Sequence, residues 1–288
     1  MTLLSDTLSS VLKEGTSRLK EANVKNALYE AREMLYLAFS VDRITLILYP
    51  DTTVDDDRTA VFFDMINRRI SGIPLQYVLG EWSFYGRRFF VGEGVLIPRP
   101  ETEQLADICI EVIKEHSLKT VYDLCSGTGC IGITIAIECP ETDVYLFELY
   151  DDALFYLKKN VEQYKLKNVH TVKYNVMSPP PKDIPTPDLI VSNPPYIPRN
   201  EMDTLQAEVK LEPATALDGG TDGLDFYRAE RELWLPVLNP YGFYIVECGE
   251  EQPPEISNML EKYGNPATME DMYETERFVC VRKDRLTQ

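Results

Sequence analysis

Histidine is scarce in this chain, and cysteine never occurs in the pairs that bind metals. Among 288 residues only His116 and His170 are histidine, and none of the six cysteines forms a Cys-x-x-Cys pair. Structural zinc sites draw their ligands from such pairs and from histidine. The sequence therefore argues against acid–base chemistry that depends on histidine, and we expect no bound metal.

Long apolar runs and positive charge are also in short supply. No apolar run approaches the roughly 20 residues of a membrane span, and the N-terminal segment does not have the pattern of a secretion leader. Lysine and arginine number 29 against 47 acidic residues, a formal net charge of −18. Because this charge repels a phosphate backbone, we expect no direct contact with nucleic acid. We also expect a reduced, cytoplasmic, soluble protein without a membrane partner.

The spacing of apolar residues divides the chain into three parts. Residues 1–72 have helical spacing, and the acidic run at residues 55–57 is placed to begin a helix. Residues 73–97 are aromatic and punctuated by glycine, which predicts a linker with a β-hairpin. Residues 98–288 form the third part. Two domains suit a chain of this length.

The third part alternates short apolar segments with helical ones. Strands are predicted at residues 120–125, 143–149, 170–176, 188–193, 242–248 and 277–283. This alternation is typical of an α/β fold with a mainly parallel sheet covered on both faces. Ligands of such sheets bind beyond the carboxyl ends of the strands, so residues at strand ends are the candidates for a site.

The first predicted strand runs into the sequence DLCSGTGCIG at residues 123–132. Gly127 and Gly129 permit a tight turn and a close approach of the backbone to a ligand. The loop matches neither the full dinucleotide-binding pattern nor a phosphate-binding loop, which disfavours NAD and ATP. Considered alone, an ordinary strand-to-helix turn explains it nearly as well.

Polar residues at the next two strand ends favour a nucleoside site. Glu148 ends the second strand, where its carboxylate can accept hydrogen bonds from both ribose hydroxyls. Asn175, at the end of the third strand, could meet an adenine edge, with Val176 as a wall beside the ring. A solvated strand end is the alternative explanation for Asn175.

The fourth predicted strand leads into Asn193-Pro194-Pro195-Tyr196. Two successive prolines remove two N–H donors and leave carbonyl acceptors beside the Asn193 side chain. A planar primary amide can place its two N–H groups on the Asn193 side-chain oxygen and the Pro194 carbonyl, with Tyr196 as an aromatic wall. These acceptors strengthen as the amide nitrogen becomes positive, so the chemistry needs no general base.

A larger set of segments supports this interpretation. They are GIPLQYVLG at 72–80, Phe84 and Phe89, VLIPRPETE at 95–103, DLCSGTG at 123–129, NPPY at 193–196 and EPATALDGGTDGLDFYR at 212–228. Together they resemble the peptide-chain release factor glutamine methyltransferases, the PrmC or HemK family, over nearly the whole chain. The resemblance implies an α/β fold of the class I methyltransferase (Rossmann-like) type. Its seven-stranded, mainly parallel sheet would follow a small N-terminal helical domain and a β-hairpin linker.

The resemblance also implies S-adenosylmethionine as the methyl donor and the glutamine of a Gly-Gly-Gln motif in class I release factors as the acceptor. It implies cofactor contacts at Asp123, Cys125, Ser126, Gly127, Thr128, Gly129, Glu148, Asn175, Val176 and Asn193, and substrate contacts at Asn193, Pro194, Pro195, Tyr196, Arg99 and Glu101. The family usually has glycine where this chain has Cys125, and an acid is common where Asn175 stands. The expected protein is a monomer whose helical domain recognises the release factor.

Three other kinds of protein share parts of the pattern. Glutamine methyltransferases of a large-subunit ribosomal protein share NPPY but typically read Pro-Arg-Ser-Pro where this chain has PRPETE at residues 98–103. Adenine-N6 DNA or RNA methyltransferases hold an amine with the same tetrapeptide, yet they must bind a polyanion. A non-catalytic binding module would keep the nucleoside pocket, and the intact tetrapeptide argues against it.

Overall fold

The structure is a computed structural model that describes residues 6–284. The parts of the predictions above that concern residues 1–5 and 285–288 lie outside the described residues. The chain divides into two compact units, the first ending at Glu81 and the second beginning at Trp82. No helix in the described part is long and apolar enough to cross a membrane.

Helices make up the first unit, as the spacing of its apolar residues predicts. They are α1 (Leu8–Glu21), α2 (Ala27–Phe39), α3 (Arg43–Leu48), α4 (Asp56–Ile70) and α5 (Leu75–Leu79). Helices α1, α2 and α4 pack around the buried side chains of Leu19, Met34 and Phe62. Helix α4 begins after Asp55, whose carboxylate accepts a hydrogen bond from the Arg58 N–H at 2.8 Å. The predicted helix start at the acidic run is therefore confirmed.

A β-hairpin follows, formed by β1 (Glu81–Phe84) and β2 (Arg87–Phe90). Its two-residue turn consists of Tyr85 and Gly86, with φ of 53° and 67°. Two positive φ angles are typical of the turn that best matches the twist of paired strands. The hairpin predicted between residues 73 and 97 is thus confirmed.

The second unit is built on a seven-stranded sheet. Its strands are β3 (Thr120–Leu124), β4 (Asp143–Glu148), β5 (Val169–Lys173), β6 (Leu189–Ser192), β7 (Phe243–Glu247), β8 (Ala267–Glu270) and β9 (Glu276–Arg282). The order is β5-β4-β3-β6-β7-β9-β8, and β9 runs antiparallel to both of its neighbours. The mainly parallel sheet predicted from the sequence is confirmed, and so are all six predicted strands.

Helices cover both faces of this sheet. They include α6 (Pro100–His116), α7 (Cys130–Glu138), α8 (Asp151–Tyr164), α9 (Asp225–Ala229) and α10 (Pro253–Leu260). Neighbouring residues of a strand point to opposite faces, so Val121 lies in the core beneath α6 and α7 while Tyr122 packs with Trp234 in the other core. Alternate residues of one strand therefore contribute to two separate hydrophobic cores.

The strand order reverses between β3 and β6. From β3 the chain proceeds outward to β4 and β5, and it then returns to β6 on the opposite side. Such a reversal opens a crevice at the carboxyl ends of the two central strands, where α/β sheets bind ligands. The glycine loop after β3 and the tetrapeptide after β6 therefore flank the same crevice.

Candidate active site

A cavity of about 230 Å³ lies in this crevice. Ten of the predicted site residues line it: Arg99, Cys125, Ser126, Gly127, Thr128, Glu148, Asn175, Val176, Asn193 and Pro195. A smaller cavity of about 130 Å³ is lined by Pro194 and Tyr196, and Arg99 and Asn193 line both cavities. The structure thus brings most of the predicted residues together, with Asn193 at the junction.

Three predicted residues line neither cavity: Asp123, Gly129 and Glu101. Glu101 lies in the first turn of α6, and Gly129 is the residue that caps the start of α7. Asp123 is fully buried, and its Oδ2 atom accepts a hydrogen bond from the Gly132 N–H at 3.0 Å. Burial raises the pKa of Asp123 to about 8. Asp123 therefore supports the first turn of α7 behind the loop.

The glycine loop needs three residues in the left-handed region of backbone conformation. They are Cys125, Gly127 and Gly129, with φ of 58°, 54° and 79°. Glycine adopts this conformation freely, whereas other residues adopt it at a cost of about 1 to 2 kcal/mol. Cys125 occupies the position where the resembling family usually has glycine, and its φ angle gives the physical reason for that preference.

Glu148 connects the loop to the end of β4. Its Oε2 atom accepts the Gly127 N–H at 2.9 Å, and Oε1 accepts the N–H groups of Leu149 and Tyr150 at 2.7 and 2.9 Å. Burial raises the pKa of this carboxyl, and the three backbone hydrogen bonds oppose the rise. A carboxylate has about four acceptor positions, so one remains for a ligand in the cavity.

The segment after β5 forms another part of the cavity wall. Asn175 is exposed, and its Oδ1 atom accepts the Met177 N–H at 2.9 Å, which closes a local turn. Val176 is buried, and its carbonyl accepts the indole N–H of Trp234 at 2.7 Å. This bond fixes the position of the apolar wall that Val176 presents.

Two acceptors of the tetrapeptide have no hydrogen-bond partner among the described residues. Asn193 uses its Nδ2 atom to donate to Thr102 Oγ1 at 3.2 Å. Within residues 6–284 no hydrogen bond is made by Asn193 Oδ1 or by the Pro194 carbonyl. Pro194 is nevertheless buried and faces the smaller cavity. An amide with two N–H groups is the kind of ligand that would satisfy both oxygens.

The segment from residue 212 onward holds the tetrapeptide in place. The Ile197 N–H donates to the Leu217 carbonyl, and the Gly219 N–H donates to the Ile197 carbonyl, both at 2.9 Å. A Cβ atom at Gly219 would lie 2.8 Å from the Pro195 carbonyl oxygen, so only glycine permits this approach. The side-chain amide of Gln252 donates to the Tyr196 carbonyl at 2.9 Å.

Several residues of the site were not among the predicted contacts. Glu212 is buried, accepts the Ile97 N–H at 2.9 Å and forms an ion pair with Arg99. Its position in the EPATALDGG segment was the only signal in the sequence. Thr102 and Glu247 also contribute to the cavities; Thr102 lies within the VLIPRPETE segment, whereas no local pattern marks Glu247.

Comparisons with known proteins agree with this architecture. Residues 10–80 match the family model for the PrmC N-terminal domain, and residues 101–217 match that for the methyltransferase small domain. A release factor glutamine methyltransferase of Clostridium botulinum is 34% identical over 280 residues, which cover 96% of this chain and 99% of the relative. A release factor glutamine methyltransferase of Aquifex aeolicus is 40% identical over 201 residues, which cover 70% of this chain and 71% of the relative.

Solved structures share the fold at low sequence identity. The hMettl16 catalytic domain in complex with a 3'UTR hairpin has a TM-score of 0.56 at 16% identity, with coverage of 88% of this chain and 94% of that one. A methyltransferase from Pyrococcus furiosus has a TM-score of 0.50 at 16% identity, with coverage of 80% and 98%. These two likenesses establish the methyltransferase fold, and the close relatives establish the family. The chain belongs to the release factor glutamine methyltransferases.

Proposed function

We propose that this protein transfers a methyl group from S-adenosylmethionine to the side-chain amide nitrogen (N5) of the glutamine in the Gly-Gly-Gln motif of class I release factors. The N5–methyl bond forms as the bond between sulfur and methyl breaks, and the products are N5-methylglutamine, S-adenosylhomocysteine and one proton. The observation that carries the proposal is the pair of acceptors without a hydrogen-bond partner among the described residues: Asn193 Oδ1, at the junction of the two cavities, and the Pro194 carbonyl, at the smaller one. The names of the close relatives support the same substrate.

The larger cavity suits the methyl donor. Gly127, which has no side chain, lets the loop backbone approach a bound nucleoside closely, and Glu148 has one acceptor position left for a ribose hydroxyl. Phe147 and Val176 add apolar surface for an adenine ring. When bound, S-adenosylmethionine supplies an electrophilic methyl group. The residues of the chain hold and orient the two reactants.

The acceptor side of the site compensates for a weak nucleophile. The lone pair of a glutamine amide nitrogen is delocalised into its carbonyl group. Asn193 Oδ1 and the Pro194 carbonyl would accept its two N–H groups and fix the direction in which the nitrogen points. Both hydrogen bonds strengthen as positive charge develops on nitrogen, so they stabilise the transition state more than the bound substrate.

Replacing Glu148 by glutamine should weaken binding of S-adenosylmethionine about 10- to 100-fold, because a hydrogen bond to a charged group is worth about 1.5 to 3 kcal/mol. The amide would also place a donor against backbone donors of the loop. Isothermal titration calorimetry measures the affinity, and Glu162→Gln, on an exposed part of α8, controls for the lost charge. Unchanged affinity in a folded Glu148→Gln protein would remove this residue from the cofactor site.

Mass spectrometry of a Gly-Gly-Gln peptide tests the function itself. The peptide should gain one methyl group on its glutamine in the presence of enzyme and S-adenosylmethionine, and a Gly-Gly-Asn peptide serves as the control. Methylation of an adenine-containing oligonucleotide but not of the peptide would contradict the proposal. So would methylation of a ribosomal-protein glutamine at a higher kcat/KM than that of a release factor.

The two units would divide the work between them. Every candidate contact for cofactor or amide lies in the second unit, whereas the helices described for the first unit hold no catalytic constellation. We propose that the first unit recognises the body of the release factor, that the protein acts as a monomer, and that it works in the cytoplasm. The six cysteines are free, which fits a reducing compartment.

A further inference from the structure

A carboxyl group that the proposed chemistry does not use lies beside the tetrapeptide. Glu247 ends β7, and the pairing of Ser192 with Val246 places it next to Asn193. Glu247 is 2% exposed and lines the smaller cavity. Its Oε2 atom has no hydrogen-bond partner within the described part of the chain. Acidic groups are rarely buried unless they are paired, so this one needs an explanation.

Charged residues of both signs and two polar side chains surround the Glu247 carboxyl. Burial raises the pKa of the Glu247 carboxyl to about 7, and the charge of Glu101 adds to the rise. Hydrogen bonding by Thr102 and Asn193 and the charge of Arg277 lower it. The ionised form of Glu247 is thus favoured by Thr102 and Asn193, which also hydrogen-bond to each other and line the larger cavity.

The hydrogen-bonding capacity of these groups fixes their directions. A threonine hydroxyl has a single proton to donate and two lone pairs, whereas a carboxylate can only accept. If the Thr102 proton is directed to Glu247, the Thr102 oxygen is free to accept the N–H of Asn193 Nδ2, which lies 3.2 Å away. Because Nδ2 of the Asn193 amide points to Thr102, the Oδ1 atom on the other side of the amide carbon must point away from Thr102.

We propose that Glu247 is a positioning residue that, together with the Thr102 hydroxyl, holds the Asn193 amide with its oxygen toward the substrate glutamine. The inference rests on the proposed function, in which that oxygen accepts an N–H of the glutamine. If the Asn193 amide were flipped, its N–H groups would face the N–H groups of the substrate glutamine. The substrate nitrogen would then lose one of its two fixed acceptors. The Glu247 carboxylate therefore sets the orientation of the Asn193 amide, and the Asn193 oxygen remains the acceptor for the substrate.

Paired substitutions at Thr102 test the hydroxyl link. Thr102→Val keeps the shape but removes the hydroxyl, and it should lower kcat about 10- to 100-fold, the range expected when a reacting group loses its alignment. Thr102→Ser restores the hydroxyl and should recover most of that loss. Thr134→Val is the matched control, because Thr134 is also buried and its hydroxyl has no partner among the described residues. A folded Thr102→Val protein with the wild-type kcat would overturn the proposal.

A double-mutant cycle tests the carboxylate itself. Glu247→Gln should lower kcat with S-adenosylmethionine affinity unchanged, and it should add nothing further in an Asn193→Ala background. If Glu247→Gln slows the wild type and Asn193→Ala by the same factor, Glu247 acts independently of Asn193. That result would overturn the inference. If Glu247→Gln does not fold, the Thr102 pair decides alone. Failure of wild type to methylate the Gly-Gly-Gln peptide would instead count against the proposed function, since the inference concerns only ratios between variants.

Discussion

Asn193→Ala should lower turnover of a Gly-Gly-Gln peptide on the order of 100- to 1,000-fold, the usual loss for one preorganised partner of the transition state. The affinity for S-adenosylmethionine should change little, because Asn193 orients the acceptor amide. Single-turnover kinetics with saturating donor would measure the chemical step directly. Equal rates for wild type and Asn193→Ala would disprove the role assigned to the tetrapeptide.

Asn193→Asp provides the graded comparison. Aspartate still offers an oxygen acceptor, so this variant should retain more activity than Asn193→Ala. It should not reach the wild-type rate, because Glu247 faces the same position and two adjacent carboxylates disfavour double ionisation. One of the two carboxyls must then keep a proton. An Asn193→Asp rate at or below that of Asn193→Ala would count against the requirement for an oxygen at this position.

Buried and edge strands of the sheet differ in how clearly the amino-acid sequence reveals their positions. The segment Leu189–Ser192 is buried along its whole length, and a short run of apolar residues is the expected pattern for a central parallel strand. The strand Ala267–Glu270 was not located from the sequence. It lies at the edge of the sheet with three of its four residues exposed, so burial leaves no apolar pattern there. Edge strands are held by backbone pairing, which the side chains do not encode.

Site residues at strand ends can be predicted from the sequence, whereas those that meet across distant segments cannot. Glu148 and Asn193 follow directly from strand ends, since parallel strands bring those ends together. Thr102 and Asn193 are 91 residues apart, and Ile97 and Glu212 are 115 apart. Their hydrogen bonds form only when α6 and the segment after β6 meet around the cavity. The left-handed backbone of Cys125 was likewise not deducible from the sequence and is given only by its φ angle.

An exposed apolar surface in the first unit bears on the recognition of the release factor. Four neighbouring residues of α3 and its end, Ile44, Ile47, Leu48 and Tyr49, are each more than 60% exposed, at 65%, 64%, 62% and 62%. Clustered exposed apolar side chains commonly mark a protein interaction site. Specific recognition of a protein buries about 800 Å² on each partner, and the two small cavities cannot supply that area. The α3 surface is a candidate for part of it.

Removing the first unit should lower kcat/KM for the intact release factor on the order of 100-fold, because such an interface normally contains several contacts worth about 1 to 2 kcal/mol each. A fragment that begins at Trp82 should bind S-adenosylmethionine normally and methylate a short Gly-Gly-Gln peptide nearly as well as the full chain, since the peptide never used the lost surface. Ile47→Asp tests the same idea in the full chain, with Met272→Asp, an equally exposed residue of the second unit, as its control. Ile47→Asp should raise KM for the factor and leave the peptide unaffected. Equal losses on peptide and factor would show that the first unit supports folding rather than recognition.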